Sequence, residues 1–151
     1  MNVRVAFDTS SLLPLVLPAH PRYQWVKPWD EAVRAGRIAG LVLAHARAEL
    51  FATATAIPGI RITPKAALQV IEELLQGLEV IPGSDEVYRA AVARCALVGV
   101  TSGGVYDALH VIAAELAGAT AIVTLDVGDF ERFRIETSPR IIVPPDGGGL
   151  L

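Results

Sequence analysis

The chain is short of several things, and each shortage excludes something. Cys95 is the only cysteine in 151 residues, so an internal disulfide framework and a thiolate-based zinc cluster are both ruled out. Its place among apolar helix positions fits an inert core thiol. Basic residues are not in excess: 13 Lys and Arg stand against 16 Asp and Glu, a formal net charge of −3. That balance makes no electrostatic case for nucleic acid, although a local basic stripe is compatible with it. No uninterrupted apolar run reaches the roughly 18 residues of a membrane span. The best stretch, VIAAELAGATAIVTL, is interrupted by Glu115 and Gly118. The N-terminus does not read as a signal peptide, because Asp8 interrupts it and Pro14 and Pro18 break the apolar segment. The expectation is a cytoplasmic protein with no membrane segment.

What the chain has in quantity is apolar residues, 52% of the total, with a mean hydropathy of +0.46. The length suits one domain with one sizeable core. Apolar runs at residues 3–8, 38–44, 78–82, 121–126 and 140–144 read as strands, separated by helical segments. Ser10 or Ser11 is expected to cap a short helix limited by Pro14 and Pro18. Residues 22–36 read as two helical pieces around Pro28, and Gly40 weakens the second strand. Thr63-Pro64 and Ser84 open later helices, and TSGG turns the chain into the helix from Val105 to Leu116. Near-continuous apolar strands alternating with helices predict an α/β domain with a parallel sheet covered on both faces. That domain is expected over residues 1–143, with a flexible tail at 144–151.

Four acids stand apart from the rest. Asp8 ends the buried-looking strand VRVAFD, and Asp126 ends AIVTLD. Glu49 lies in HARAELFATA and Asp107 in GGVYDALHVIAA, both helices of small and apolar residues. In a parallel sheet, ligand sites lie beyond the carboxyl ends of the strands, so Asp8 and Asp126 face one crevice if both strands are central. Each acid also has a plainer reading. Asp8 can cap the next helix, Asp107 can answer a helix dipole, Asp126 and Asp129 can be turn or capping residues, and Glu49 can be solvated. Jointly those readings need four separate accidents. Two carboxylates about 5 Å apart repel by roughly 3 kcal/mol at an effective dielectric near 20. A group of four therefore calls for protonation or a cation. Carboxylate ligation without thiols suits a hard cation such as Mg²⁺ or Mn²⁺, and phosphodiester hydrolysis is the chemistry that fits.

Taken in order, VAFDTSSLLPL, HARAELFATATAIPG, GGVYDALHVIAAELAGA and AIVTLDVGDF resemble the four acidic motifs of PIN-domain proteins, and most nearly the VapC-type toxins of toxin–antitoxin pairs. The resemblance runs over nearly the whole chain. It implies a Rossmann-like three-layer α/β/α sandwich with a central parallel sheet, and a Mg²⁺- or Mn²⁺-dependent ribonuclease acting on single-stranded RNA. By the same resemblance Asp8, Glu49 and Asp107 match the core acids and Asp126 the fourth acidic position. Asp8, Asp107 and Asp126 then hold the metal, with Glu49 a ligand directly or through water. Thr9, Ser10 and Thr124 match small polar positions lining the site, and Asp129 supports it from its edge. A cognate antitoxin and a homodimer are implied as well, the apolar helices containing WDEAVRAG and AALQVIEELLQG being offered to a second copy.

Other readings stay open at this level. Gly103-Gly104 can be a plain turn or can present N–H groups to a phosphate. His45 with Glu49 and Asp107 with His110, at helical spacing, can be drawn as a zinc or di-manganese site between two helices. FDTSS also suggests an aspartyl-phosphate phosphotransferase, but Ser10 stands where that chemistry wants a second Asp. A non-catalytic RNA- or protein-binding member of the same fold is the remaining alternative.

Overall fold

The computed structural model describes residues 2–128 and 130–151. Five strands are present among them: β1 (Val3–Phe7), β2 (Ile38–Leu43), β3 (Glu79–Ile81), β4 (Ala121–Val123) and β5 (Arg140–Ile142). They form one sheet in the order β3-β2-β1-β4-β5, with every neighbouring pair parallel. The order reverses at β1, so the chain grows outward from β1 in both directions and leaves a crevice at its carboxyl end. Among the described residues seven helices cover the sheet: α1 (Thr9–Val16), α2 (Tyr23–Arg34), α3 (His45–Ala56), α4 (Pro64–Leu75), α5 (Asp85–Val98), α6 (Gly104–Leu116) and α7 (Phe130–Phe133). The expected three-layer α/β/α sandwich with a central parallel sheet is what the chain adopts.

Side chains alternate across a strand, and the two cores follow that alternation. Val5 and Phe7 of β1, Ile38 and Val42 of β2, and Ala121 and Val123 of β4 pack with Leu12, Trp29, Leu50 and Ile71 from α1–α4. Ala6, Leu41, Leu43 and Ile122 face the other way, onto α5, α6 and α7. Burial on both faces explains why these strands carry no polar alternation.

Several local expectations are corrected. The cap of α1 is neither Ser10 nor Ser11 but Asp8, whose Oδ1 accepts the Ser11 N–H at 2.9 Å. α2 is one continuous helix with Pro28 inside it. Pro28 and Gln24, whose carbonyl loses its usual partner, are both exposed, where water can substitute. Gly40 is a requirement of packing rather than a weakness of β2. A Cβ there would lie 2.5 Å from Leu78 Cδ2 and 2.9 Å from Val33 Cγ2. The caps at Thr63 and Ser84 form as read, accepting from Ala66 N–H and Val87 N–H. At the C-terminus, Leu150 packs against the α1–α4 side of the core.

Of the two helices offered to a second copy, α2 buries Val26, Trp29 and Ala32 and α4 buries Ala67, Ile71, Leu74 and Leu75 within this chain. Among the described residues no helix is long and apolar enough to cross a membrane.

Candidate active site

The carboxyl ends of β1 and β4 place the centre of the site. Asp8 N–H bonds the Val123 carbonyl at 3.3 Å, which sets Thr124 beside Asp8 just past the last residues of the two strands. Thr124 is fully buried. Its hydroxyl donates to Asp8 Oδ2 at 2.7 Å and accepts the Asp126 N–H at 3.0 Å, so one side chain ties the two acidic loops together. Ser10, in the first turn of α1, donates to Asp8 at 2.8 and 2.9 Å and accepts the Leu125 N–H at 2.9 Å. Asp8 is therefore both a helix cap and the floor of a cleft.

The other two acids come from opposite faces of the sheet. Glu49 sits mid-way along α3, on the first layer. Asp107 sits in the first turn of α6, on the second. Asp8, Glu49, Asp107 and Asp126 line one cleft of about 260 Å³, together with Thr9, Ser10, Leu13, Thr53 and His110. Of the residues singled out in the sequence, Thr124 lies beneath this cleft, and Asp129 lies outside the described residues.

His110 is where the structure goes beyond the sequence reading. It stands one helical turn after Asp107, is only 4% exposed, and its Nε2 lies 2.8 Å from Glu49 Oε1. Thr9 Oγ1 donates to the same oxygen at 3.0 Å. The described hydrogen bonds of Glu49 all go to Oε1, leaving Oε2 without one. His110 Nδ1 is buried and has no hydrogen-bond partner among the described residues. Of the two-helix histidine arrangement, only this half forms at the cleft. His45 instead stacks on Tyr106, with ring centroids 5.4 Å apart and planes 7° from parallel. The signal for His110 was present in the sequence as the i, i+3 spacing from Asp107.

The Gly103-Gly104 segment resolves as a turn. The N–H groups of Gly104, Val105 and Tyr106 bond the carbonyls of Thr101, Ser102 and Gly103, so those donors are not free for a phosphate.

Crowding of like charge shows in the acidities. Burial, then the charges of Asp8 and Asp126, push Asp107 up from its ordinary 3.8 to about 6, with Glu49 adding to the effect. Burial also raises Asp8, against the opposing pull of His110 and of the hydrogen bonds from Thr124, Ser11 and Ser10. Glu49 goes the other way. Burial would raise it, but the His110 and Thr9 contacts hold it below the usual glutamate value. Among the described residues no three His, Cys, Asp or Glu side chains are placed close enough together to hold a metal ion as they stand. The donors available are carboxylates, with one imidazole already engaged by Glu49. That set matches a hard divalent cation and not a thiophilic one.

Comparisons with known proteins agree with this fold. No curated protein matches the chain in sequence. Among solved structures, the Mycobacterium tuberculosis sarcin–ricin-loop-cleaving toxin VapC20 superposes with a TM-score of 0.68 at 14% identity, covering 89% of this chain and 99% of that one. VapBC2 from Rickettsia felis, bound to a promoter DNA fragment, gives 0.66 at 15% identity, over 93% and 98%. PAE2754 from Pyrobaculum aerophilum gives 0.57 at 24% identity, over 95% and 90%. At these identities the likeness establishes the fold. The sequence itself matches the PIN domain over residues 5–136, a span from within β1 through α7 that holds every acid of the cleft, and the chain belongs to the PIN domain family.

Proposed function

We propose that this protein is a Mg²⁺- or Mn²⁺-dependent endoribonuclease that cuts single-stranded RNA, and that it is the cytoplasmic toxin of a toxin–antitoxin pair, working as a homodimer restrained by a cognate antitoxin. The observation that carries the reading is the convergence of Asp8, Glu49, Asp107 and Asp126, from four separate segments, on one cleft at the carboxyl edge of a parallel sheet. Similarity to a VapBC complex supports the antitoxin partner. An arginine offered by such a partner would neutralise the same carboxylates, which gives inhibition a physical basis.

Asp8, Asp107 and Asp126 would hold the ion, with Glu49 a ligand directly or through water. When bound, the ion supplies polarisation of a phosphate oxygen and acidification of water. The chain supplies the rest. Ser10, Thr124 and the Ser11 N–H fix both oxygens of Asp8, so its lone pairs have a defined direction before any substrate arrives. Glu49, pinned through Oε1 and kept ionised, turns its other oxygen to orient the attacking water and accept its hydrogen.

The test is cleavage of single-stranded RNA with Mg²⁺, Mn²⁺ or EDTA, by the wild-type chain and by Asp8→Asn. Cutting that needs the ion and disappears in Asp8→Asn is the expected result. Absence of cutting under every condition, or undiminished cutting by Asp8→Asn, overturns the proposal.

A further inference from the structure

The cleft explains how a phosphodiester is attacked but not how RNA is held. Its walls are acidic and the chain carries a net charge of −3, so attachment has to come from its flanks.

On the β4 flank, Arg22 Nη1 donates to the Leu125 carbonyl at 3.5 Å. Leu125 is the residue before Asp126, and its own N–H bonds Ser10. The Arg22 guanidinium also lies 5.4 Å from the centre of the Trp25 ring, and Trp25 is 41% exposed. Among the described residues no carboxylate pairs with Arg22, whereas Arg47 and Arg94 are engaged by Glu72 and Glu115.

On the β2 flank stands the second ring system. His45 is one helical turn before Glu49 on α3, and Tyr106 immediately precedes Asp107 on α6. Their stack bridges the two layers, and Tyr106 is 49% exposed. A ring held in orientation by a neighbour costs little to order when a base stacks on it.

We propose that a single RNA strand crosses the carboxyl edge of the sheet, one base stacked on Tyr106 beside His45, another on Trp25, with Arg22 on a phosphate at the Asp126 side. Rings recognise unstacked bases, and in an A-form duplex the bases are stacked inside the helix. The strand is therefore single. The nuclease reading supplies the choice of RNA, but how the strand is held is tested apart from cutting.

The experiment uses the Asp8→Asn chain, which leaves RNA intact, and a mixed-sequence single-stranded RNA oligonucleotide. Trp25 and Trp29 are the two tryptophans, and Trp29 is fully buried, so quenching of tryptophan emission reports on Trp25. Single-stranded RNA is expected to quench it and the matching duplex is not. Tyr106→Ala and Trp25→Ala should each weaken binding about 5- to 150-fold, the range for loss of one base–ring stack, with affinities compared by calorimetric titration of the same oligonucleotide because Trp25→Ala removes the emission reporter. Arg22→Ala should flatten the dependence of log affinity on log salt by about 0.7, as for one phosphate contact on a single strand. All three side chains are exposed, so the unfolding midpoint should hold in each variant. Unchanged affinity in both ring variants, or equal quenching by duplex, overturns the path. If the wild-type chain still cuts RNA in that case, the nuclease reading survives alone. Ring-dependent binding by a chain that cuts nothing keeps the path and removes the nuclease reading.

Discussion

His110 Nε2 and Glu49 Oε1 meet at 2.8 Å across the gap between α6 and α3. One turn earlier on each helix, Tyr106 and His45 form a second rung. The pairing joins the two helical layers at the edge of the sheet and fixes one oxygen of a cleft acid. Partners of this kind commonly change metal affinity or activity 10- to 100-fold when removed.

His110→Leu is therefore expected to weaken Mn²⁺ binding by about 10- to 100-fold. His110→Gln, which can still offer an N–H to Glu49, is expected to restore part of it. Calorimetric titration of the apo chain with Mn²⁺ checks both. A merely structural histidine would show loss of stability in both variants with the Mn²⁺ affinity unmoved.

Thr124 has a similar role on the other side of Asp8. Thr124→Val keeps the shape but removes the donor to Asp8 Oδ2 and orphans the Asp126 N–H. A cost of about 0.5–1.5 kcal/mol per lost hydrogen bond is expected, because Asp8 Oδ2 keeps the Ser10 hydroxyl and Asp126 is exposed. Denaturant unfolding should show that loss for Val and not for Thr124→Ser.

The raised pKa of Asp107 makes the metal-free protein sensitive to pH. Between its ordinary 3.8 and about 6, Asp107 is protonated in the folded chain and ionised in the unfolded one. Folding takes up a proton in that window, so this group's contribution to stability falls as pH rises through it and is lost above about 6. The apo unfolding midpoint should show that fall, Asp107→Asn should remove it, and Mg²⁺ should offset it at neutral pH.

Gly40→Ala tests the packing of β2. The added methyl meets Leu78, Val33 and Phe7, and a loss of about 1–3 kcal/mol is expected, as for other overpacked cores. Trimming Leu78 to Val in the same chain should recover part of that loss in thermal unfolding.

Much of this was legible in the sequence because single residues carry local instructions. Thr63 before Pro64, Ser84 before two acids, and apolar strands without alternation each point to one structure. The acids of the cleft stood out because each lies alone among apolar residues. Other features depend on what lies far away in the chain. Gly40 is explained by Leu78 and Val33, which the sequence does not place beside it. His110 is one lone histidine until α3 brings Glu49 to it. In the sequence a capping Asp8 and a cleft Asp8 are separate readings, and in the structure one carboxylate oxygen caps α1 while the side chain still lines the cleft.

The central claim, that acids from both layers share one divalent ion, is tested most directly by a crystal soaked in Mn²⁺ and measured for anomalous scattering. A peak between Asp8 and Asp107, within ligand reach of both, is the expected result. A fully soaked crystal with no peak there, and the two carboxylates turned apart, would contradict it.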